Sequence, residues 1–181
     1  MFYVKCFMRL IVGLGNPGEK YKNNRHNAGF MFIDYLVNKL LNSRVKELKV
    51  KKMLHVTCYM LNDFILAKPQ TFMNISGPAI KKTINNYQLT INDLVIVHDD
   101  LDIPLGKFKI QKSVGPKLHN GIESVENVLG SKDFWRVRIG VDNRNPEHWV
   151  DGETYVLQDF KPEEKKLINE IFPEVLDKLK K

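Results

Sequence analysis

The chain predicts an α/β layered domain, and three observations carry the prediction. Short apolar runs that read as strands alternate with stretches whose apolar residues return at helical spacing. Two of the strand runs, Arg9 to Leu14 beyond its first residue and Leu94 to Val97, are continuously apolar, as in strands covered on both faces. A length of 181 residues with 43% apolar side chains suits one domain around a single core.

The elements follow in order. Arg9 to Leu14 is a buried strand, and Ala28 to Leu41 a helix whose Phe32, Ile33, Leu36, Val37, Leu40 and Leu41 recur on one face. Ser43 to Lys52 reads as a basic connection. Leu54 to Leu61 and Phe64 to Lys68 read as a hairpin across Asn62-Asp63, closed by Pro69, which cannot donate to a ladder. Phe72 to Tyr87 is a second helix with Ile75, Ala79, Ile80 and Ile84 on one face. Leu94 to Val97 is a central strand that ends at His98, Asp99 and Asp100. Lys107 to Gln111 is a further strand, Ser113 to Leu118 a loop, Gly121 to Leu129 a helix and Trp135 to Val141 a strand. Glu163 to Leu179 is a C-terminal helix that Pro173 is expected to kink or interrupt. The whole chain, 1–181, reads as one domain, with residues 1–8 as an N-terminal extension ahead of the first strand.

Composition narrows the function classes. No apolar run is long enough to span a bilayer, and MFYVKCF is too short for a signal peptide. Cys6 and Cys58 have no metal or redox spacing and read as reduced thiols of a cytosolic protein. The net charge of +7 and a pI near 9.3 point to a polyanionic partner such as nucleic acid.

Gly13-Leu14-Gly15-Asn16-Pro17-Gly18 has the spacing of a dinucleotide fingerprint. Pro17 and a polar loop postpone the helix past Asn27, so no helix N-terminus meets a pyrophosphate. The glycines instead let something approach the backbone closely, or form a tight turn. His26 closes that loop, and ligands of layered α/β domains gather beyond strand carboxyl ends. If the first strand and the Leu94 strand are parallel neighbours, His26 meets one of the carboxylates that follow His98. A carboxylate that accepts from one ring nitrogen leaves the other free to deprotonate water. No nucleophile elbow occurs, so water is the economical attacking group and no cofactor is needed. The aspartates could alternatively bind Mg²⁺ or cap a turn, and the orienting role is preferred to a metal. His55 and His148 lack ligand spacing. Asn16, Asn27, Asn74 and Asn120 suit turns and caps, or amide donors to a substrate. Lys107, Lys109, Lys112, Lys117, Arg136 and Arg138 form either a solvated face or a phosphate-binding strip.

These stretches together resemble one family. GLGNPG with Tyr21 and Arg25-His26-Asn27-Ala28-Gly29 resembles the bacterial peptidyl-tRNA hydrolase signature. Pro69 to Gly77, His98 to Gly106, His119-Asn120-Gly121 and Arg136 to Gly140 resemble its later motifs, in family order. The resemblance implies a cytosolic, monomeric, single-domain α/β/α sandwich with a mixed, largely parallel sheet. It implies cleavage of the ester between a peptide and the 3′ end of tRNA, which frees stalled tRNA for translation. It makes His26 the general base, Asp99 its supporting carboxylate and Asn16 the residue that distinguishes N-blocked substrates. Tyr21, Phe72, Asn74 and Asn120 would line the site, and Lys109 and Arg138 would clamp a tRNA phosphate. One departure is that Val114-Gly115-Pro116-Lys117-Leu118 replaces a glycine-rich segment, which predicts a stiffer or differently placed lid. The C-terminal helix is also expected to end earlier than is usual in the family. The rival classes are a nucleotide-dependent oxidoreductase and a non-catalytic RNA-binding domain.

Overall fold

The computed structural model describes residues 8–42, 49–53, 55–61, 64–148 and 150–180. A seven-stranded sheet divides it. Its strands are β1 (Arg9–Gly13), β2 (Lys49–Met53), β3 (Val56–Leu61), β4 (Phe64–Pro69), β5 (Leu94–Pro104), β6 (Phe108–Lys112) and β7 (Trp135–Asp142). The spatial order is β2-β3-β4-β1-β5-β7-β6. The four central strands are mutually parallel, and the flanking β2, β3 and β6 run antiparallel to their neighbours. The helices are α1 (Ala28–Asn42), α2 (Ser76–Asn86), α3 (Asn120–Leu129), α4 (Gly152–Val156) and α5 (Pro162–Leu179).

Strand alternation sorts the core into two layers. Ile11, Val95, Val97, Val137 and Ile139 face α1 and α5, where Phe32, Leu36, Phe172 and Val175 cover them. Leu10, Val12, Ile65, Leu94 and Ile96 face α2 and α3, where Ile80, Ile84, Ile122 and Val125 cover them. The result is an α/β/α sandwich with a mixed, centrally parallel sheet. Leu10 pairs with Leu94 and Gly13 with Val97, so the neighbourhood on which the active-site argument depends is present.

Several elements differ from the sequence reading. The basic connection over Ser43 to Lys52 falls partly outside the described residues, but Lys49–Met53 is the edge strand β2, antiparallel to β3. Its first four side chains are exposed, so no period-2 apolar signal marks it, and lysines on an outer strand discourage further pairing. Strand β5 runs on through His98, Asp99 and Asp100 to Pro104, because these residues stay in ladder with Arg138, Ile139 and Gly140 of β7. Helix α2 starts at Ser76, after a 3₁₀ turn at Met73–Ile75. Helix α5 continues through Pro173. The proline ring sits on the exposed side while Phe172, Val175 and Leu179 stay buried, so packing outweighs the lost hydrogen bond. Helix α4 carries too few apolar residues for periodicity to reveal it. The hairpin connection Asn62-Asp63, Cys6 and positions 1–7 lie outside the described residues. Met8 packs on the second core layer, and Cys58 is a buried free thiol.

Candidate active site

The glycines of the opening motif serve close packing. A Cβ on Gly13 would lie 2.3 Å from the Gly29 carbonyl oxygen, and one on Gly29 would lie 2.3 Å from that of Val97. Helix α1 therefore crosses the strand ends backbone to backbone, and Phe30 N–H donates to the Leu14 carbonyl at 3.1 Å. No room is left there for a pyrophosphate.

This crossing sets His26, in a 3₁₀ turn at Arg25–Asn27, against β5. Its Nδ1 lies 2.9 and 3.0 Å from the two carboxylate oxygens of Asp99. A carboxylate only accepts, so Nδ1 carries the proton and Nε2 keeps its lone pair toward the cleft. A second histidine, His119, places Nε2 3.0 Å from Asp99 Oδ1. Its Nδ1 accepts from the backbone N–H groups of Gly121 and Ile122, at 3.0 and 3.3 Å, and so caps α3. Those two donors fix the tautomer, and Nε2–H must donate to Asp99. Although His26, Asp99 and His119 lie within metal-ligand reach of one another, His119 presents an N–H to the group rather than a lone pair.

The electrostatics follow from this geometry. Burial works against an imidazolium at His26, but the Asp99 charge, its hydrogen bond and the charge of Glu153 outweigh it, and the pKa rises above the ordinary 6.5. Burial would raise the Asp99 pKa, yet His26 and His119 hold it far below the carboxylate range. His98 is wholly buried, donates from Nδ1 to the Asp99 carbonyl at 2.6 Å, and is kept neutral first by burial and then by His119.

Asn16 is fixed by three bonds. Its N–H donates to Asn27 Oδ1 at 2.8 Å and its carbonyl accepts from Asn27 Nδ2 at 2.9 Å. Its own Oδ1 accepts from Met73 N–H at 2.8 Å. The Asn16 amide nitrogen is thus a pre-oriented donor at the cleft, whereas Asn27 is a buried structural clamp. The cleft, of about 690 Å³, is also lined by Tyr21, Phe72, Asn74 and Asn120. Tyr21 and Phe72 meet edge to face at 6.3 Å.

The basic strip is largely dispersed. Arg136 is buried and bonds the Gly115 carbonyl and Glu126. Arg138 is buried too, donating to Asp100 at 2.7 Å and Gln111 at 2.8 Å. Both are internal pins. Lys112 pairs with Asp133 at 3.1 Å. Lys109, directly opposite Arg138 in the β6–β7 ladder, is exposed and has no partner among the described residues. The Val114–Leu118 segment is tied down by Arg136 at Gly115 and by the Lys117 N–H, which donates to Asp102 at 2.9 Å. Gly115 has φ +60°, and a Cβ there would strike the Arg138 guanidinium at 2.3 Å, so this glycine is required. Leu118 stands 93% exposed at the cleft.

The chain and its fold match those of known proteins. The family model described as peptidyl-tRNA hydrolase matches residues 10–181. The chain belongs to the peptidyl-tRNA hydrolase family. The peptidyl-tRNA hydrolase of Lawsonia intracellularis is 40% identical over 170 residues, covering 94% of this chain and 84% of the relative. That of Mycoplasma mycoides is 41% identical, covering 91% and 87%. The crystal structure of peptidyl-tRNA hydrolase from Acinetobacter baumannii superposes with a TM-score of 0.82 at 30% identity, covering 97% of this chain and 88% of that one. Within this family fold, the structure brings together His26, Asp99, Asn16, Tyr21, Phe72, Asn74 and Asn120. It leaves Lys109 and Arg138 outside the cleft wall. The sequence places His119 in a family motif and before an apolar helical run, but neither signal gives it a role as a partner of Asp99. Glu153 left no signal at all.

Proposed function

We propose that this member of the peptidyl-tRNA hydrolase family cleaves the ester joining a peptide to the 3′ end of tRNA by direct attack of water, with His26 as general base. The observation that carries it is the 2.9 Å contact of His26 Nδ1 with buried Asp99, which points the Nε2 lone pair into the cleft. Water gives its proton to Nε2 as its oxygen attacks the ester carbonyl, and Asp99 stabilises the imidazolium that forms. The Asn16 amide nitrogen is the oxyanion donor best supported, because its orientation is set before substrate arrives; such a donor is commonly worth about 2.7–4 kcal/mol. Collapse of the tetrahedral intermediate expels the tRNA 3′ oxygen, which takes the proton back from Nε2.

The test is incubation with an N-acetylaminoacyl-tRNA beside its unblocked counterpart. Free tRNA released from the blocked substrate only supports the reading, and equal release from both or from neither overturns it.

Phosphate recognition rests on Lys109, whose ammonium has no partner among the described residues while the Arg138 guanidinium is held by Asp100 and Gln111. Substrate binding should weaken as salt rises. Lys109→Ala should raise KM, flatten the log–log salt slope by about one, and leave cleavage of a small ester mimic unaltered. Equal losses on tRNA and on the mimic would refute the phosphate contact. We further read the protein as a single-domain monomer of the cytoplasm. That reading is supported by a substrate used in translation; separately, among the described residues no helix is long and apolar enough to cross a membrane.

A further inference from the structure

We propose that Glu153 is a specificity-determining residue that makes the cleft prefer peptides whose esterified residue is cationic over those where it is acidic. The inference rests on the peptidyl-tRNA hydrolase reading and deepens it. Glu153 lies on α4, which forms one wall of the cleft that holds His26 and Asn16. Its carboxylate has no hydrogen-bond or ion-pair partner among the described residues, and no described lysine or arginine lines the cleft. The other carboxylate there, Asp99, is buried and satisfied by two histidines. Glu153 is therefore the one uncompensated charge a bound substrate meets among these residues.

The surroundings of Glu153 choose the occupant. Leu118 and Leu157 of the same cleft are 93% and 42% exposed, an apolar approach to a single anion. A lysine or arginine side chain matches both features, laying its methylene stem along the leucines and its head at the carboxylate. A nucleotide phosphate or an acidic side chain would meet like charge without a compensating cation. The α4 side of the cleft is thereby assigned to the peptide, while the unpaired Lys109 lies outside the cleft wall for a phosphate.

The experiment charges one tRNA body with Nα-acetyl-lysine, Nα-acetyl-glutamine or Nα-acetyl-glutamate and compares kcat/KM above the acid limb of the pH profile. The expected order is Lys, Gln, Glu, with about five- to tenfold between the extremes, as attraction and repulsion by one exposed charge at the cleft wall would give. The span should narrow as salt is added. Glu153→Gln should bring the three within about twofold, and Glu153→Lys should reverse the order. Glu153→Gln also shifts the titration of His26, but that acts on all three esters alike, so the ratio isolates the side-chain contact. A wild-type ratio near one, or a ratio unmoved by both variants, overturns the proposal while leaving the hydrolase reading standing. Failure to cleave any of the three esters overturns both.

Discussion

Replacing His26 by alanine is expected to lower kcat on an N-acetylaminoacyl-tRNA by about 10²–10⁴-fold, the usual share of a positioned general base. Binding should change little, because His26 is one small part of a cleft of about 690 Å³. The single-turnover rate and the Kd for uncleaved substrate separate the two effects. A variant that loses binding yet keeps its cleavage rate would remove His26 from the proton-transfer step. Asp99→Asn should cost less, about tenfold or more, since the imidazole remains but loses the charge that holds its tautomer. The pH profile adds a direction. His26 must be neutral to accept a proton, and its pKa is raised, so activity should fall below a midpoint above 6.5. Asp99→Asn should move that midpoint down, because the asparagine no longer favours the imidazolium. A midpoint that stays where it was would contradict the assignment.

Arg25→Ala is expected to destabilise the fold by about 3–5 kcal/mol. Arg25 and Glu164 are both 3% exposed and lie 2.7 Å apart, and the guanidinium also stacks 4.1 Å above the Tyr155 ring. Glu164 accepts further bonds from Lys161 N–H and Asn143 Nδ2. Removing the arginine leaves that carboxylate buried without its counter-charge. Arg25→Met with Glu164→Leu should recover a good part of the loss, since neither charge then remains unpaired. Urea midpoints at constant m-value measure all three variants, and a single-mutant loss below about 1 kcal/mol would show the pair to be dispensable. The pH dependence has a sign as well. Burial would raise the Glu164 pKa, but the bonds from Lys161 and Asn143 and the Arg25 charge bring it below the ordinary 4.5. Its contribution is therefore present above pH 4.5 and is lost as pH falls through the depressed value. The pair also bears on activity. It ties the turn that carries His26 to α5, and Arg25 N–H further donates to the Gln158 carbonyl at 3.1 Å.

Much of the site could be read from local chemistry. Gly13 and Gly29 imply close backbone approach whatever approaches, and the structure supplies the partner in the crossing of α1 over β1 and β5. His26 with a carboxylate after the Leu94 run needed only that two apolar strands be parallel neighbours. The misreading of β5 has a definite cause. A strand that carries His98, Asp99 and Asp100 looks like a loop, because buried charge is costly unless paired. The pairs are His26, His119 and Arg138, 73, 20 and 38 residues away in sequence. The dispersal of the basic strip has the same origin. Arg136 and Arg138 look like surface charge at alternating positions, yet both are buried: Arg136 holds the loop that replaces the glycine-rich segment, and Arg138 holds Asp100 and Gln111.

By itself the sequence determined the α/β alternation, the core residues, the strand end at which chemistry gathers and the family to which the chain belongs. Those depend on periodicity and on motifs whose meaning is local. Only the tertiary structure decided that His119 shares Asp99 with His26, that the Asn16 side-chain nitrogen has no partner among the described residues, and that Glu153 lines the cleft without a counter-charge among them. Each of these is a fact about which polar atoms find partners across the chain, and that is settled by packing, not by neighbours in sequence.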